Sequence, residues 1–565
     1  MVIMDSKDYV DKMQVILNDR TKFLMLSHLE THNRTQRIES NIRKLINQLL
    51  LAKEITSVDK ESMWPIGSLI PRIYGLPKIH KSGSPLRPIL SMVKSPQHKV
   101  AQWLAKLLQP VLQLYSNNCI SDSFEFAKYI RNRTFSSADF MCSFDIRSLF
   151  TCVPVNEVID ICSNAVYTNN LNLSNLKESS FRMLMTTATT SVEFLFNGNV
   201  YKQIDGIAMG SPLGPTLANI FVGFYEQKLF SVIQRPPTYF RYVDDTFVIF
   251  QDNSHHSKFL NHFNMLHPSL EFTTELEANN SLPFLDVLVE IDRTNLKPLT
   301  SVFRKPTFTG SYVRFESFCH KRRKTSLIRT LVHRAHQICS KETLEAEISR
   351  IKTIFMDNGY PEHLILKVIS SYASKTETLI GPRKKRIYMK LPYIGKPSYK
   401  FENLIKSCVD HCFPAVVTNV IFQSRPMLPN MFKERLPTLS CQNIIYLYSC
   451  QCNDKYVGKS QRTLKQRINE HVPKCMRDYI EHVRNGTVID FRGMNMVKRA
   501  VKASSICEHL FNNRECLLKY NIQQFKPYMH ARSSHHLNLL EAVCISVINP
   551  AICKQLTFVY ETLLF

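Results

Sequence analysis

Two adjacent aspartates inside an apolar and aromatic run constrain this chain more than any other feature. The run is RYVDDTFVIF at 241–250, in which Asp244 and Asp245 interrupt residues that favour β-strands. Aspartate is poor inside a strand and two neighbouring carboxylates repel each other, so we expect the pair at the bend of a hairpin. A polar turn explains the pair on its own, whereas a divalent cation between the carboxylates would give it a chemical purpose.

A third aspartate upstream favours the metal interpretation. The segment FDIRSLFTCVP at 144–154 places Asp145 at the end of another short apolar strand. Carboxylates from both strands predict a site for two Mg²⁺ ions, which activate a 3′ hydroxyl and stabilise a leaving pyrophosphate during in-line displacement. Between them, GIAMGSPLGPTLANIFVGFYEQKLF at 206–230 predicts a helix with Ser211 as its N-cap and Pro212 at its first position.

The same segment carries two glycines and an apolar stripe. We expect Gly206 and Gly210 to let the backbone approach a base pair closely, since glycine has no side chain. Taken alone, an ordinary capped core helix explains the segment better. The residues predicted to form the apolar helical face are Leu213, Leu217, Ile220, Phe221 and Phe224.

These segments, in this order, resemble the reverse transcriptase family over roughly residues 65–320. PKIHKSGSPLRPILS resembles the fingers motifs, SLPFLDVLVEI the palm strand after the aspartates, and VFRKPTFTGSYV the primer-side hairpin. Four short motifs are similar to those of Penelope-like retroelements, which are relatives of telomerase reverse transcriptase. These motifs are YGLPKIHK, LRPI, FLD and RKPT-F. The resemblance implies an α+β right hand of fingers, palm and thumb that copies RNA into DNA from deoxynucleoside triphosphates.

The resemblance also assigns roles to individual residues. Asp145, Asp244 and Asp245 would bind the two catalytic Mg²⁺ ions. Phe150 would be the steric gate against ribonucleotides, two basic residues would contact the incoming triphosphate, and one turn would lie beneath the nascent base pair. The residues implied to contact the triphosphate are Lys78 and Arg87. The turn implied to lie beneath the base pair consists of Gly210, Ser211 and Pro212.

A second pattern occupies the C-terminal part of the chain. IIYLYSCQCNDKYVGKSQRTLKQRINEH at 444–471 predicts two tyrosine-bearing strands followed by a helix. Any small α/β domain could show this pattern, but its order resembles the GIY-YIG endonuclease family, which Penelope-like elements often carry downstream of the polymerase. The resemblance implies Tyr446 and Tyr456 as the paired tyrosines and Gly458 as a glycine of close approach.

The remaining nuclease residues follow from the same resemblance. Arg467 would stabilise phosphate charge, His471 would assist near the scissile group, and Glu541 would bind one Mg²⁺ ion. One carboxylate and one metal ion suffice for hydrolysis if a tyrosine positions or deprotonates water. Ile444 in place of the first glycine and Cys553 in place of the usual asparagine depart from the family pattern.

Four further residues in this part form the pattern of a zinc site. Cys450 and Cys452 lie between the two tyrosine motifs, where Penelope-like nucleases hold zinc, although two such close cysteines also arise by chance among sixteen. ICEHLFNNREC supplies His509 and Cys516, which would complete a structural Cys₃His site.

The charge distribution indicates a polyanionic partner. The formal net charge is +25, and residues 301–400 alone carry 21 Lys or Arg against seven Asp or Glu. Such a concentrated excess favours a surface that binds phosphates over a scattered solvated face. We therefore expect template RNA and a target or primer DNA as partners, with the thumb gripping the duplex.

Cysteine usage and hydropathy bear on the compartment. Sixteen cysteines at irregular spacing do not resemble a secreted disulfide framework, and the Met1 end has no apolar signal segment. No run of about 18 apolar residues occurs, so a membrane partner is not expected. We expect a reduced nuclear protein with synthesis and RNA binding in the cytoplasm, and its oligomeric state, a homodimer included, stays open.

Composition and pattern together predict five regions in an α+β multidomain chain. In order, they are a helical N-terminal extension at 1–64, fingers and palm at 65–310, a basic helical thumb at 311–400, a linker at 401–440, and a small α/β GIY-YIG domain at 441–565.

The functional hypothesis is a retroelement protein that nicks target DNA and extends the freed 3′ end on element RNA. One alternative keeps the polymerase and extends existing DNA 3′ ends, as telomerase does, with a weak or inactive nuclease. Another is a non-catalytic RNA-binding remnant, against which the three ordered aspartates argue.

Overall fold

The structure is a computed structural model, and it describes most of the chain. No helix among the described residues is both long and apolar enough to cross a lipid bilayer. The described residues are 2–26, 31–79, 81–169, 171, 175–190, 192–251, 254–373, 385–424, 437–488, 490–531 and 534–553.

Short strands alternate with helices in the first part of the chain, up to Val302. The helices are α1 (Ser6–Leu17), α2 (Thr31–Leu51), α3 (Ser57–Met63), α4 (His98–Leu107), α5 (Gln109–Leu114), α6 (Ser123–Arg131), α7 (Leu149–Cys152), α8 (Val155–Thr168), α9 (Glu178–Thr189), α10 (Gly214–Val232) and α11 (Ser254–Met265). The strands are β1 (Phe23–Leu26), β2 (Arg72–Pro77), β3 (Leu86–Ser91), β4 (Phe140–Ile146), β5 (Glu193–Phe196), β6 (Asn199–Gln203), β7 (Thr238–Tyr242), β8 (Asp245–Phe250), β9 (Phe272–Leu276), β10 (Ser281–Phe284), β11 (Val287–Asp292) and β12 (Lys297–Val302).

The second part begins with helices and ends in a small sheet with helices around it. The helices are α12 (Lys321–Ile338), α13 (Lys341–Asp357), α14 (Glu362–Ala373), α15 (Lys396–Cys412), α16 (Leu464–His471), α17 (Lys474–Asn485), α18 (Phe491–Ala503), α19 (Ser505–Asn512), α20 (Arg514–Leu518) and α21 (Ser534–Ile548). The strands are β13 (Lys385–Pro392), β14 (Val416–Gln423), β15 (Ile444–Ser449), β16 (Lys455–Ser460) and β17 (Phe525–His530).

A five-stranded sheet in the order β1-β6-β5-β2-β3 joins the N-terminal segment to the predicted fingers. PRIYGLPKIHKSGSPLRPILS forms the predicted strands and turn, since β2 and β3 pair antiparallel with Leu76 opposite Arg87. The N-terminal extension contains more than the predicted helices, because β1 pairs with β6 along its whole length. Met13 and Leu17 of α1 pack into the core beneath this sheet.

A four-stranded antiparallel sheet in the order β7-β8-β4-β9 carries the three aspartates. Helix α10 packs beneath it and is apolar nearly all round, with Leu217, Ile220 and Phe221 fully buried. A helix of this kind belongs inside a core rather than on a surface, so it supports the sheet from below.

The predicted start of α10 is wrong. The helix begins at Gly214, with Leu213 as N-cap, and Ser211 instead accepts a hydrogen bond from the Leu213 amide at 3.3 Å within a preceding turn. The reason is a second proline. A helix that began at Pro212 would place Pro215 where an amide must donate, whereas from Gly214 it lies in the first turn, where no donor is needed.

The segment VFRKPTFTGSYV does not form the predicted primer-side hairpin. β10, β11 and β12 form an antiparallel meander that ends at Val302, and no strand or helix is described from 303 to 320. Pro306 interrupts the segment, and a proline cannot donate to a strand ladder.

The predicted linker at 401–440 is also wrong over most of its described length. β13 and β14 pair parallel, and α15 connects them as a crossover helix. Two parallel neighbours require such a connection, so the helix and second strand belong to one βαβ unit that also contains the end of the predicted thumb. Residues 425–436 of the predicted linker lie outside the described residues.

Candidate functional site

The palm sheet brings the three predicted aspartates together. Asp145 in β4 lies directly opposite Asp245, the first residue of β8, and Asp244 occupies the turn before β8. The Ile146 amide donates to the Asp244 carbonyl at 3.1 Å and ties the turn to the central strand. Two neighbouring strand ends therefore point three carboxylates at one place.

The electrostatics of this cluster fit a divalent cation. Burial, together with the neighbouring carboxylates of Asp244 and Asp145, raises the pKa of Asp245 to about 7. Burial and Asp145 likewise raise the pKa of Asp244. Like charges in a partly buried site destabilise one another unless a cation lies among them, and carboxylate oxygens are the ligands that Mg²⁺ prefers.

The two predicted triphosphate residues lie within electrostatic reach of the aspartates. Lys78 follows β2 and Arg87 lies in the paired strand β3. Burial lowers the pKa of Lys78 and so does Arg87, whereas Asp145 and Asp244 raise it. The two basic side chains are thus close enough to the aspartates for their charges to interact.

The two glycines approach other parts of the protein rather than an open surface. Gly210 has φ +119°, and a Cβ there would collide with the Leu90 carbonyl of β3. A Cβ on Gly206 would collide with the backbone of Thr151, and the neighbouring Ile207 amide donates to the Phe150 carbonyl at 2.6 Å. These close contacts hold Phe150 and the turn at 210–212 in place, and the expected approach of the two glycines to a base pair stays a prediction.

A buried ion pair lies under the aspartate turn and was not predicted. Arg241 is fully buried and its Nε donates to Glu226 of α10 at 2.7 Å. Its Nη1 donates to the Asn219 side chain at 2.7 Å and to the Val243 carbonyl at 3.1 Å. The sequence shows an arginine two residues before the turn but does not show that its side chain is buried.

The C-terminal sheet, in the order β16-β15-β17, brings the predicted tyrosines together. Tyr446 of β15 lies opposite Gly458 of β16, and the ring centroids of Tyr446 and Tyr456 are 6.2 Å apart. A Cβ on Gly458 would collide with the Tyr446 hydroxyl, so this position requires glycine. Ile444, which replaces the family's first glycine, is fully buried in the domain core.

His471 is buried and contacts Tyr446. Its Nε2 and the Tyr446 hydroxyl are hydrogen-bonded at 2.6 Å, and its Nδ1 is 3.3 Å from the Ser504 hydroxyl. Burial and the Arg467 guanidinium lower the pKa of His471 to about 3, so the imidazole is neutral. His471 is therefore in a position to orient Tyr446, and its predicted role near the scissile group stays a prediction.

The other predicted nuclease residues line one cleft. Tyr456, Arg467 and Glu541 all contribute to its wall, and the Arg467 Nε also donates to the Tyr446 hydroxyl at 3.1 Å. Lys459, which was not predicted, lies in the same cleft with its Nζ 2.8 Å from Glu541. The position of Lys459 directly after Gly458 is the sequence feature from which it could have been predicted.

The four predicted zinc ligands form one cluster. One ligand atom from each of Cys450, Cys452, His509 and Cys516 lies within 4.8 Å of the others. The His509 Nε2 is 3.3 Å from the Cys450 sulfur and 3.4 Å from the Cys452 sulfur. Three thiols and one imidazole are the donor set of a closed structural zinc site.

Comparisons with known families find three matching models. The reverse transcriptase (RNA-dependent DNA polymerase) model matches residues 79–275 and the GIY-YIG catalytic domain model matches residues 442–521. A model of the animal helix-turn-helix domain matches residues 311–370, which include α12 and α13. No curated protein matches the chain.

Several solved polymerase structures are similar at low identity. Telomerase from Candida albicans, in complex with a fragment of telomeric RNA, is 12% identical over 64% of this chain and 68% of its own, with a TM-score of 0.39. An apo telomerase from Candida tropicalis is 14% identical over 47% of this chain and 62% of its own, at 0.32. The Sicinivirus RNA-dependent RNA polymerase is 11% identical over 64% and 75%, at 0.34.

Residues 79–275 therefore form a reverse transcriptase domain, and the predicted α+β fold class is confirmed. The chain also carries a C-terminal GIY-YIG catalytic domain, so a domain of the RNA-directed DNA polymerase family precedes one of a DNA endonuclease family. This order of domains matches that of the Penelope-like retroelement proteins that its motifs resemble.

Proposed function

We propose that this protein is the enzyme of a Penelope-like retrotransposon and acts by target-primed reverse transcription. The nuclease domain nicks target DNA, and the polymerase domain extends the freed 3′ end on element RNA. The observation that supports this most is the presence of two separate clusters in one chain, the aspartates of the palm sheet and the cleft with Tyr456, Arg467 and Glu541.

In the polymerase, Asp145, Asp244 and Asp245 would hold two Mg²⁺ ions, which lower the barrier for attack of the 3′ hydroxyl on the triphosphate. Lys78 and Arg87 would neutralise the triphosphate from the fingers side. Phe150, at the start of α7 and held through its carbonyl, would exclude a 2′ hydroxyl. The turn at 210–212 would lie beneath the nascent pair, and the basic helix α12 would bind duplex phosphates.

In the nuclease, Glu541 would hold one Mg²⁺ ion, which stabilises charge on the scissile phosphate. Arg467 lies in the same cleft and would bind a non-bridging phosphate oxygen. Tyr446 is held by both Arg467 and neutral His471, so its hydroxyl is fixed where it can orient water or pass a proton to His471. Zinc at Cys450, Cys452, His509 and Cys516 would stabilise the sheet that carries both tyrosines.

A telomerase-like enzyme that extends existing DNA ends is the second proposal, and two observations favour it. The Lys459 ammonium lies 2.8 Å from the Glu541 carboxylate and neutralises charge that would otherwise attract a metal ion. Cys553, in place of the usual asparagine, is buried with its sulfur 3.5 Å from the Val457 carbonyl and does not line the cleft.

A plasmid assay with element-like RNA, with and without a supplied primer, decides between these proposals. Under the first, Glu541→Ala abolishes nicking yet extends a supplied 3′ end, and Asp244→Ala nicks DNA that is never extended. Under the second, the parent protein extends a supplied 3′ end and nicks no better than Glu541→Ala. If the folded parent protein neither nicks nor extends DNA, the hypothesis of a non-catalytic RNA-binding remnant is the one that remains.

A further inference from the structure

The five residues at 64–68, WPIGS, form a loop that the N-terminal extension holds rigidly. Arg43 of α2 donates from Nε and Nη2 to the Pro65 carbonyl, at 3.0 and 2.8 Å. The same guanidinium lies 5.5 Å from the Trp64 ring centroid. Two hydrogen bonds and a cation–π contact from one side chain fix the first half of this loop.

The second half is fixed by a buried carboxylate. Glu39 of α2 accepts a hydrogen bond from the Ser68 amide at 2.6 Å and pairs with Arg43 at 2.5 Å. Glu39 is only 6% exposed and Ser68 only 7% exposed. Since helix α2 holds both ends, the loop keeps one conformation and presents its middle residues outward.

Those middle residues touch the nuclease domain. Gly67 has φ +61°, and a Cβ there would collide with the Gln461 carbonyl and the Gln442 side-chain oxygen. Gln461 follows β16, which carries Tyr456, and Gln442 precedes β15, which carries Tyr446. The backbone of Gly67 contacts the backbone of Gln461, so any side chain at position 67 would push the two domains apart.

The neighbouring residue Ile66 extends the nuclease cleft. Ile66 lines the same cleft as Tyr456, Arg467 and Glu541, although it comes from the polymerase half of the chain. It is 52% exposed, so its side chain remains available to a bound molecule. An apolar side chain beside a metal-binding carboxylate and an arginine suits a nucleotide, whose sugar and base pack on it while its phosphate meets the charges.

We propose that loop 64–68 docks the polymerase onto the nuclease and completes the nuclease cleft, with Ile66 as the wall that contacts the DNA strand to be cut. This rests on the proposed nuclease function. The N-terminal extension then positions the strand that is nicked relative to the fingers, so that the two activities meet the same DNA.

The first test replaces Gly67 in the full-length protein. Gly67→Ala should lower the rate of plasmid nicking on the order of tenfold, since a small displacement of catalytic groups costs that much or more. Extension of a supplied primer should stay at the parent rate. Gly198→Ala is the matched control, because Gly198 has φ +78° and an added Cβ there would have no neighbour within 4 Å. It should change neither activity.

Hydrogen exchange reports on the docking itself, independently of activity. Backbone amides at 440–442 and 459–462 should exchange faster in Gly67→Ala than in the parent and Gly198→Ala proteins. Unchanged exchange together with parental nicking would overturn the proposal.

A second variant keeps the backbone intact. Ile66→Ala should raise the KM for plasmid DNA about tenfold at unchanged kcat, because it removes apolar area from the wall alone. Ile394→Ala, at another exposed isoleucine outside the cleft, is its control. Parental KM in Ile66→Ala would overturn the role of Ile66. A parent protein that nicks no better than Glu541→Ala would overturn the proposed nuclease activity instead, and hydrogen exchange would then decide the docking alone.

Discussion

Val243 shows how a single residue shapes the polymerase site. Its φ is +57°, a conformation that β-branched residues rarely adopt, and it lies in the turn directly before Asp244. Such strain persists only where the surroundings hold it. The Arg241 Nη1 donates to the Val243 carbonyl at 3.1 Å, and Glu226 anchors Arg241 from α10 at 2.7 Å. The buried arginine is therefore a positioning residue for the aspartates.

Replacing Arg241 by lysine tests this role. Lysine keeps the charge opposite Glu226 but has no planar fork, so it cannot also donate to Asn219 and Val243. We expect a folded protein whose kcat for primer extension falls about tenfold, the value of one hydrogen bond from a charged donor. The Mg²⁺ concentration for half-maximal rate should rise, while the Kd for primed RNA stays unchanged.

Arg235→Lys is the matched control for this substitution. Arg235 lies in the same region, and its guanidinium donates to the Tyr239 carbonyl at 3.2 Å without reaching the turn. Its lysine variant should extend primers at the parental rate. If Arg241→Lys does the same, the strained turn does not depend on Arg241.

Phe150 is the second residue whose role a substitution can decide. Its carbonyl is held by the Ile207 amide at 2.6 Å, and the Cβ of an alanine at Gly214 would lie 3.6 Å from its ring. Phe150→Val should raise ribonucleotide incorporation relative to deoxyribonucleotide about tenfold, because a shorter side chain no longer collides with the 2′ hydroxyl. Competitive incorporation measures this ratio. Phe140→Val, at the first residue of β4, should leave the incorporation ratio unchanged.

At the scale of elements, local patterns predicted what local chemistry decides. The strand ending at Asp145, the turn at Asp244 and the tyrosine hairpin of the nuclease follow from apolar runs broken by polar or turn residues, and the structure contains all three. The two nuclease strands are neighbours in sequence and pair with each other. The two palm strands lie far apart in sequence, but each carries an aspartate near the end where they pair. Such features can be read from a window of ten residues.

Elements that depend on distant partners could not be predicted in this way. β1 is a strand because β6, which lies far along the chain, pairs with it. α15 connects two strands that pair in parallel, and nothing in the segment 396–412 announces that pairing. Arg241 and Lys459 belong to the sites for the same reason, since their partners Glu226 and Glu541 lie on other elements.

The cysteine cluster ties two helices to the tyrosine hairpin. Cys450 and Cys452 lie at the turn between β15 and β16, His509 is in α19 and Cys516 is in α20. Zinc should copurify at about one equivalent per chain, and a chelator should unfold the nuclease domain before the polymerase, because structural zinc contributes directly to folding. Elemental analysis and domain-resolved melting measure both effects.

Single substitutions separate this zinc from adventitious metal. Cys516→Ser should lose the zinc and lower the melting temperature of the nuclease domain. Cys475→Ser, at a half-buried cysteine outside the cluster, should keep both at parental values. Equal zinc content in the two variants would contradict the assignment of Cys516 as a ligand.

At the scale of the whole molecule, one chain combines a reverse transcriptase domain with a nuclease domain. The net charge of +25 favours nucleic acid as a partner, and the excess at 301–400 lies between the two domains in sequence. Under the proposed function, a nick made in the cleft of Glu541 would leave a 3′ end that the palm must receive before the DNA dissociates. Joining both sites in one chain raises the effective concentration of that end at the polymerase.

A mixture of two inactive variants measures this advantage. Asp244→Ala nicks without extending and Glu541→Ala extends without nicking, so only transfer of DNA between molecules can give an extended nick. We expect the yield of the mixture to fall on about tenfold dilution of protein, since transfer is bimolecular, while the parent's yield per bound plasmid stays constant. Gel analysis of extended plasmid measures both. A mixture that matches the parent at every dilution would show instead that two chains share one DNA in a stable dimer, and size-exclusion chromatography at the same concentrations would identify it.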